Sequence, residues 1–278
     1  MDYLLITLIS GLSSLVLARL GERIAPRLGL FDKADGQGRK RHRGMRPIGG
    51  LALFGGSLIG VAPFLDWSRA TSSIIMGGAM VAGIGLADDL RGLGPKTKLL
   101  AQSLAVLVPI LWSGVWVRSV SLGGLTLEMG SWGIFLTILW LAGITNAINL
   151  LDGLDGLAAG CAAIALGFIA LFAARSANSI TLILSLALLG ATLGFLRYNF
   201  YPARLFLGNE GSYFLGFMVG ALALGSFHPD LGRIRELPIP VPILLLGLPI
   251  ADTLFAIIRR ARARRPIFAP DQGHIHHR

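Results

Sequence analysis

Residues 133–174 read GIFLTILWLAGITNAINLL, then DGLDG, then LAAGCAAIALGFIALFAA. The fold turns on the five residues in the middle. Each flanking run is close to the roughly 20 apolar residues that carry a helix across a bilayer. They meet at Asp152-Gly153-Leu154-Asp155-Gly156, where the two glycines permit a tight turn and close approach of a ligand. Asn146 and Asn149, three residues apart, share a helical face just before the turn. Carboxylates at a bilayer edge are costly unless something compensates them, so the turn is a functional candidate by default. A plainer reading makes Asp155 the N-cap of the following helix.

The same pattern extends outward from this turn. The 278 residues are 54% hydrophobic and only 14% charged, with a mean hydropathy of +0.69, whereas soluble domains carry about 25% charged residues. The chain is therefore expected to be an all-α, polytopic integral membrane protein forming a single domain over residues 1–278. Nine apolar segments, near 3–20, 48–65, 73–88, 98–117, 133–151, 156–174, 179–196, 211–227 and 238–258, give about nine transmembrane helices. The first run lacks a basic leader and a small-residue cleavage site, so it reads as a permanent span. A single cysteine, Cys161, excludes an intrachain disulfide and reads as packing.

Basic residues set the direction. With the N-terminus outside and the C-terminus cytoplasmic, 20 of the 25 lysines and arginines fall in cytoplasmic segments; only Arg69, Arg118, Arg175, Arg233 and Arg235 fall outside. Contact with anionic headgroups explains such residues at about 1 kcal/mol each. It does not explain why Asp88, Asp89, Asp152, Asp155, Asn209, Glu210 and Asp271 fall on the same side.

Three further motifs join the Asp-Gly turn. Asp88-Asp89 ends the third span, where the helix dipole disfavours negative charge, so a cation or Lys96 and Lys98 must offset it. The loop Arg197-Tyr198-Asn199-Phe200-Tyr201-Pro202-Ala203-Arg204 leads into Gly208-Asn209-Glu210-Gly211-Ser212, with the eighth helix expected to start near Ser212 and offer its N-terminus to phosphate. The tail ends Asp271-Gln272-Gly273-His274-Ile275-His276-His277-Arg278. With no cysteine or i, i+4 histidine pair, these histidines suit a diphosphate better than zinc. Asp252, inside the ninth segment, either lines the site or pairs with a basic residue.

Together with Lys40-Arg41-His42 and Pro47-Ile48-Gly49-Gly50, these motifs resemble the polyprenyl-phosphate N-acetylhexosamine-1-phosphate transferases over most of the chain. The His-Ile-His-His-Arg ending and the Arg197–Arg204 loop look like the common-antigen and O-antigen branch rather than the peptidoglycan branch. The resemblance implies transfer of a sugar 1-phosphate from a UDP-N-acetylhexosamine to undecaprenyl phosphate, with release of UMP. It implies a bacterial cytoplasmic (inner) membrane enzyme with its active site on the cytoplasmic face, serving cell-envelope polysaccharide. The implied cofactor is Mg²⁺, with Mn²⁺ as the alternative. Implied partners are the two substrates, the lipid bilayer and, optionally, a second copy of the chain; nucleic acid is not among them. Asn149, Asn209 and Glu210 are the implied metal ligands. Asp88 or Asp89 would accept a proton or orient the acceptor phosphate, and Asp152 and Asp155 would hold the uridine side. Lys98, His42, Asn146, Arg204, His274, His276 and His277 are the implied substrate-binding residues.

Two departures stand out. Relatives read Gly-Asp-x-Gly-Ser where this chain has Asn209-Glu210, which moves the negative charge by one residue. Relatives also continue past the histidine motif, so the chain is expected to lack their last spans. The competing readings are a membrane transporter, which would place carboxylates at mid-membrane depth, and a weakened relative that binds nucleotide sugar without turnover.

Overall fold

This molecule buries small polar side chains within its apolar core and exposes many large apolar ones. In the computed structural model Leu4, Leu12, Leu111, Trp132, Ile164 and Leu244 are 63–77% exposed, while Ser10, Ser14, Thr71, Gln102, Thr181 and Ser185 are at 0%. An apolar surface of this extent needs an apolar solvent. The structure describes residues 2–24, 27, 49–122, 125–225, 237–238 and 240–262.

The described helices are α1 (Asp2–Ile24), α2 (Gly49–Val61), α3 (Arg69–Arg91), α4 (Pro95–Ser113), α5 (Trp132–Leu151), α6 (Leu157–Arg175), α7 (Ser179–Asn199), α8 (Gly208–Gly225), α9 (Pro240–Leu245) and α10 (Gly247–Arg262). Five of them, α1, α3, α5, α6 and α7, are long and apolar enough to cross a membrane by length and composition, and α2 is a shorter apolar helix. The chain is thus a mostly helical, multi-pass membrane protein.

The axis of the bundle is α8. Every residue from Glu210 to Gly225 is buried, because α2, α3, α5, α6 and α7 all pack against it. Small residues allow this closeness, since helices in lipid associate by backbone approach rather than by a hydrophobic drive. Gly216 abuts the Thr145 backbone of α5, and Trp140 donates its indole N–H to the Gly220 carbonyl at 3.1 Å. A second seam joins α1 to α2 and α7: Gly56 and Gly60 face Ser14 and Ser10, and Gly190 and Gly194 lie against Thr7 and Gly11.

Several expected boundaries shift, each for a local reason. The fourth apolar segment ends early. Gly114, at φ 70°, closes α4, and residues 115–117 lead instead into a small sheet. That sheet, of order β2-β1-β3, comprises β1 (Ser119–Leu122), β2 (Leu125–Glu128) and β3 (Leu237–Pro238), with β1 antiparallel to β2 and parallel to β3. The all-α expectation therefore gains a strand element, which lies at the end of the bundle away from the Asp-Gly turn. The ninth segment is broken between α9 and α10. Pro249 has no N–H to give the helical carbonyl four residues back, and the chain turns at Leu246. The eighth helix starts at Gly208 rather than near Ser212, with Gly208 at φ 74°.

Gly85 on α3 shows how tightly α8 is held. A Cβ there would run into the Asn209 carbonyl and the Glu210 Cα, whereas a Cβ at Gly83 meets nothing. Gly85→Ala is expected to cost about 1–3 kcal/mol by overpacking. Gly83→Ala should gain roughly 0.5–1 kcal/mol from helix propensity. Denaturation of the two variants in detergent checks the opposite signs.

Candidate active site

Because successive helices alternate in direction, the C-terminal ends of α3, α5 and α7 meet the N-terminal ends of α4, α6 and α8 at one end of the bundle. The N-terminus of α2 joins them: Gly49 and Gly50 donate their amides to the Phe206 and Leu207 carbonyls, each at 3.1 Å. Three of the sequence motifs are brought together here.

Asp88 and Asp89 point to different partners. Asp88 is buried, its side chain 2% exposed. It pairs with Lys98 Nζ at 2.6 Å, accepts from the Tyr213 hydroxyl at 3.0 Å, and takes the Leu93 amide at 2.8 Å. Charge-assisted bonds of this kind compensate a buried carboxylate, and Lys98, as expected, is the counter-ion. Asp89 is exposed. Its Oδ2 accepts from the backbone amides of Asn209 at 3.0 Å and Glu210 at 3.4 Å. The N-terminus of α8, read from sequence as a phosphate cradle, is thus capped by a carboxylate from α3.

Asn149 donates Nδ2 to Asn209 Oδ1 at 2.8 Å and to Ser212 Oγ at 2.9 Å, joining α5 to α8. Asn146, one turn earlier, bonds Gln102 Oε1 at 2.6 Å and the Ala142 carbonyl at 2.7 Å, joining α5 to α4. Glu210 is 2% exposed, and neither carboxylate oxygen has a hydrogen-bond partner among the described residues. The groups facing it are acidic: its carboxyl lies against that of Asp89, with Asp152 close enough to repel it. Unpaired charge in such a place is costly.

The Asp-Gly turn has a structural partner. Asp155 does not cap α6; that position is Gly156, at φ 74° and without a side-chain cap. Asp155 Oδ2 instead accepts from the Ala203 amide at 2.9 Å, and Asn199 accepts from the Gly156 amide at 3.1 Å. The turn and the loop at 200–207 are therefore one unit, with Arg204 exposed upon it. Asp152 is half-buried at the end of α5, and Asp252 is buried at 9% in α10. His42, Asp271, His274, His276 and His277 lie outside the described residues.

Sequence reasoning missed Tyr213 and Gln102, and read Ser212 only as the expected start of the eighth helix. Tyr213 and Ser212 lie four and three residues after Asn209 on the same face of α8, a spacing that offered a signal. For Gln102 the signal was a polar residue one turn beyond Lys98 in an otherwise apolar helix.

Oxygen donors thus converge from α3, α5 and α8. Among the described residues no group of three or more His, Cys, Asp or Glu side chains is placed to hold a metal ion, so any cation here would draw ligands from amide oxygens, bound phosphate and water. That is the habit of Mg²⁺, and the buried Glu210 carboxyl, set against the acidic Asp89 and Asp152, fits a hard cation of this kind.

A family model described as glycosyl transferase family 4 matches residues 52–227. The chain is 42% identical over 275 residues to a probable undecaprenyl-phosphate N-acetylglucosaminyl 1-phosphate transferase of Bacillus subtilis, covering 98% of this chain and 75% of that one. It is 35% identical to a decaprenyl-phosphate N-acetylglucosaminephosphotransferase of Mycobacterium leprae, over 83% of this chain and 65% of the relative. It is 30% identical to an undecaprenyl-phosphate alpha-N-acetylglucosaminyl 1-phosphate transferase of Thermotoga maritima, over 89% and 72%. The match reaches from α2 to the end of α8 and so contains the whole cluster around Asp89, Asn149 and Glu210. On that extent of likeness, the chain belongs to glycosyl transferase family 4.

Proposed function

We propose that the protein transfers N-acetylglucosamine 1-phosphate from its UDP conjugate to a polyprenyl phosphate, releasing UMP. The observation that carries this reading is the buried Glu210 carboxyl set against those of Asp89 and Asp152, in a chain whose relatives are named for this transfer. An oxygen of the lipid phosphate attacks the sugar-bearing phosphorus. A P–O bond forms, the diphosphate bridge breaks, and UMP leaves with the bridging oxygen. Such chemistry rests on positioning and charge stabilisation.

Each side chain then has a task. Asp89, exposed and held by the α8 amides, orients the acceptor phosphate or takes its proton; Asp88 holds Lys98 and Tyr213 in place. Asn149, Asn209 and Glu210 would hold Mg²⁺, which when bound neutralises diphosphate charge. The joined turn and loop, with Asp152, Asp155 and Arg204, form the nucleotide side, and His42, His274, His276 and His277 add charge to it.

Nine membrane crossings, with the site end cytoplasmic, complete the proposal. Arg91, Lys96, Lys98, Arg197, Arg204, Arg259, Arg260 and Arg262 lie at or near the site ends of their elements, while Arg69, Arg118 and Arg175 lie at the opposite ends. That bias is the one that sets topology in bacterial membranes. A second reading, a binder of nucleotide sugar with weakened turnover, is favoured by the uncharged Asn209 alone.

Purified protein given undecaprenyl phosphate, Mg²⁺ and a panel of UDP-N-acetylhexosamines should release UMP from UDP-N-acetylglucosamine, and lose it on chelation or without lipid. Binding of UDP-sugar without release would select the weakened reading. Asp89→Asn should lower kcat by about 10²-fold or more in a folded protein, and wild-type turnover would sink its role. Mg²⁺ with UDP should raise the melting temperature of the wild type. Glu210→Gln is expected to abolish that shift, and an undiminished shift would remove Glu210 from the metal set.

A further inference from the structure

The cross-helix contacts at the site end form a closed circuit. From α3, Asp88 pairs with Lys98 of α4 at 2.6 Å. One turn along α4, Gln102 accepts from Asn146 of α5 at 2.6 Å. One turn along α5, Asn149 bonds Asn209 and Ser212 of α8. Beside Ser212, Tyr213 donates back to Asp88 at 3.0 Å. The four helices are tied in a ring, and Asn149 and Asn209 of the proposed site sit on it.

Gln102 closes the ring between α4 and α5. It is fully buried, and its Nε2 has no partner among the described residues. A buried donor left unpaired is costly, whereas an apolar side chain at this buried site would carry no such cost. Its Oε1 is therefore the useful atom. Asn146 Nδ2 faces both that oxygen and the Ala142 carbonyl, which fixes the amide's direction. Both links bracket chemistry: Lys98 lies four residues before Gln102 and Asn149 three after Asn146, each on the same helical face as its neighbour.

We infer that Gln102 is a positioning residue for the transfer reaction. Through Asn146 it sets how far α4 stands along α5, and so places Lys98 on Asp88 while Asn149 meets α8. This assigns Asn146 to the scaffold rather than to substrate, and it rests on the transferase reading only for its kinetic consequence.

The test exchanges side-chain lengths. Glutamine is one methylene longer than asparagine, so Gln102→Asn shortens the reach and Asn146→Gln lengthens it. The double variant restores the sum. Two readouts are taken on wild type, both single variants and the double variant, after melting in detergent confirms that each is folded. One is acylation of Lys98 by an amine reagent, resolved by peptide mass spectrometry with exposed Lys96 as internal reference; this needs no catalysis. The other is kcat and KM for UMP release. Each single variant should raise Lys98 labelling severalfold and lower kcat by about 10²-fold with KM little changed, and the double variant should recover both. Unchanged Lys98 labelling in the single variants, or a double variant no better than they are, would overturn the inference. If recovery occurs in labelling while the wild type releases no UMP, the ring stands and the transfer reading falls.

Discussion

The contact on which the site depends is the carboxylate of Asp89 on the first amides of α8. The first N–H groups of a helix have no partner within the helix itself, and each one left unpaired inside a protein costs about 1–3 kcal/mol. Asp89 accepts from two of them, at Asn209 and Glu210. The same carboxylate would be unwelcome at the C-terminal end of its own α3, where the dipole is negative. Setting that end against the positive end of α8 turns two liabilities into one favourable contact. Close approach is possible because Gly85 on α3 and Gly50 on α2 present no side chain where α8 begins.

The neighbouring aspartate shows the other way of keeping a carboxylate in a bundle. Asp88 faces inward and is compensated by an ammonium, a phenol and an amide. A group so fully engaged is suited to holding geometry, and Asp89, open to solvent, is suited to meeting a substrate. Two adjacent acids of the same chemistry are given different surroundings, one buried and one open, by the roughly 100° between consecutive helical residues.

Glu210 has neither solution. It is buried against other acids, in a chain where the preceding position is an amide. A protein that carries such a group must have a cation or proton to put there, or bear its cost. The chain belongs to glycosyl transferase family 4, whose relatives here are named for sugar-phosphate transfer. At the same end of the bundle, Asp155 on the Ala203 amide joins the turn to the loop.

Composition and apolar run length were enough to read a multi-pass helical protein, because twenty apolar residues have few other uses. The motifs at Asp88-Asp89, Asn146–Gly156 and Asn209–Ser212 were legible as one cluster, since the parity of the spans places them at one end whatever the packing. Partners were not legible. Nothing local distinguishes Asp88 from Asp89, makes Asp155 hold a loop amide rather than its own helix, or ties Gln102 to Asn146, because these contacts join residues 44 to 125 positions apart. The break at Leu246 and the sheet at the far end also escaped: a proline within an apolar run and four-residue strands leave a weak periodic signal. The sequence by itself determined which side chains are polar among apolar helices and which end of the bundle they share. Only the tertiary structure decided which of them are satisfied by one another and which, like Glu210, are left facing the site, because that depends on how closely the glycine-lined helices meet.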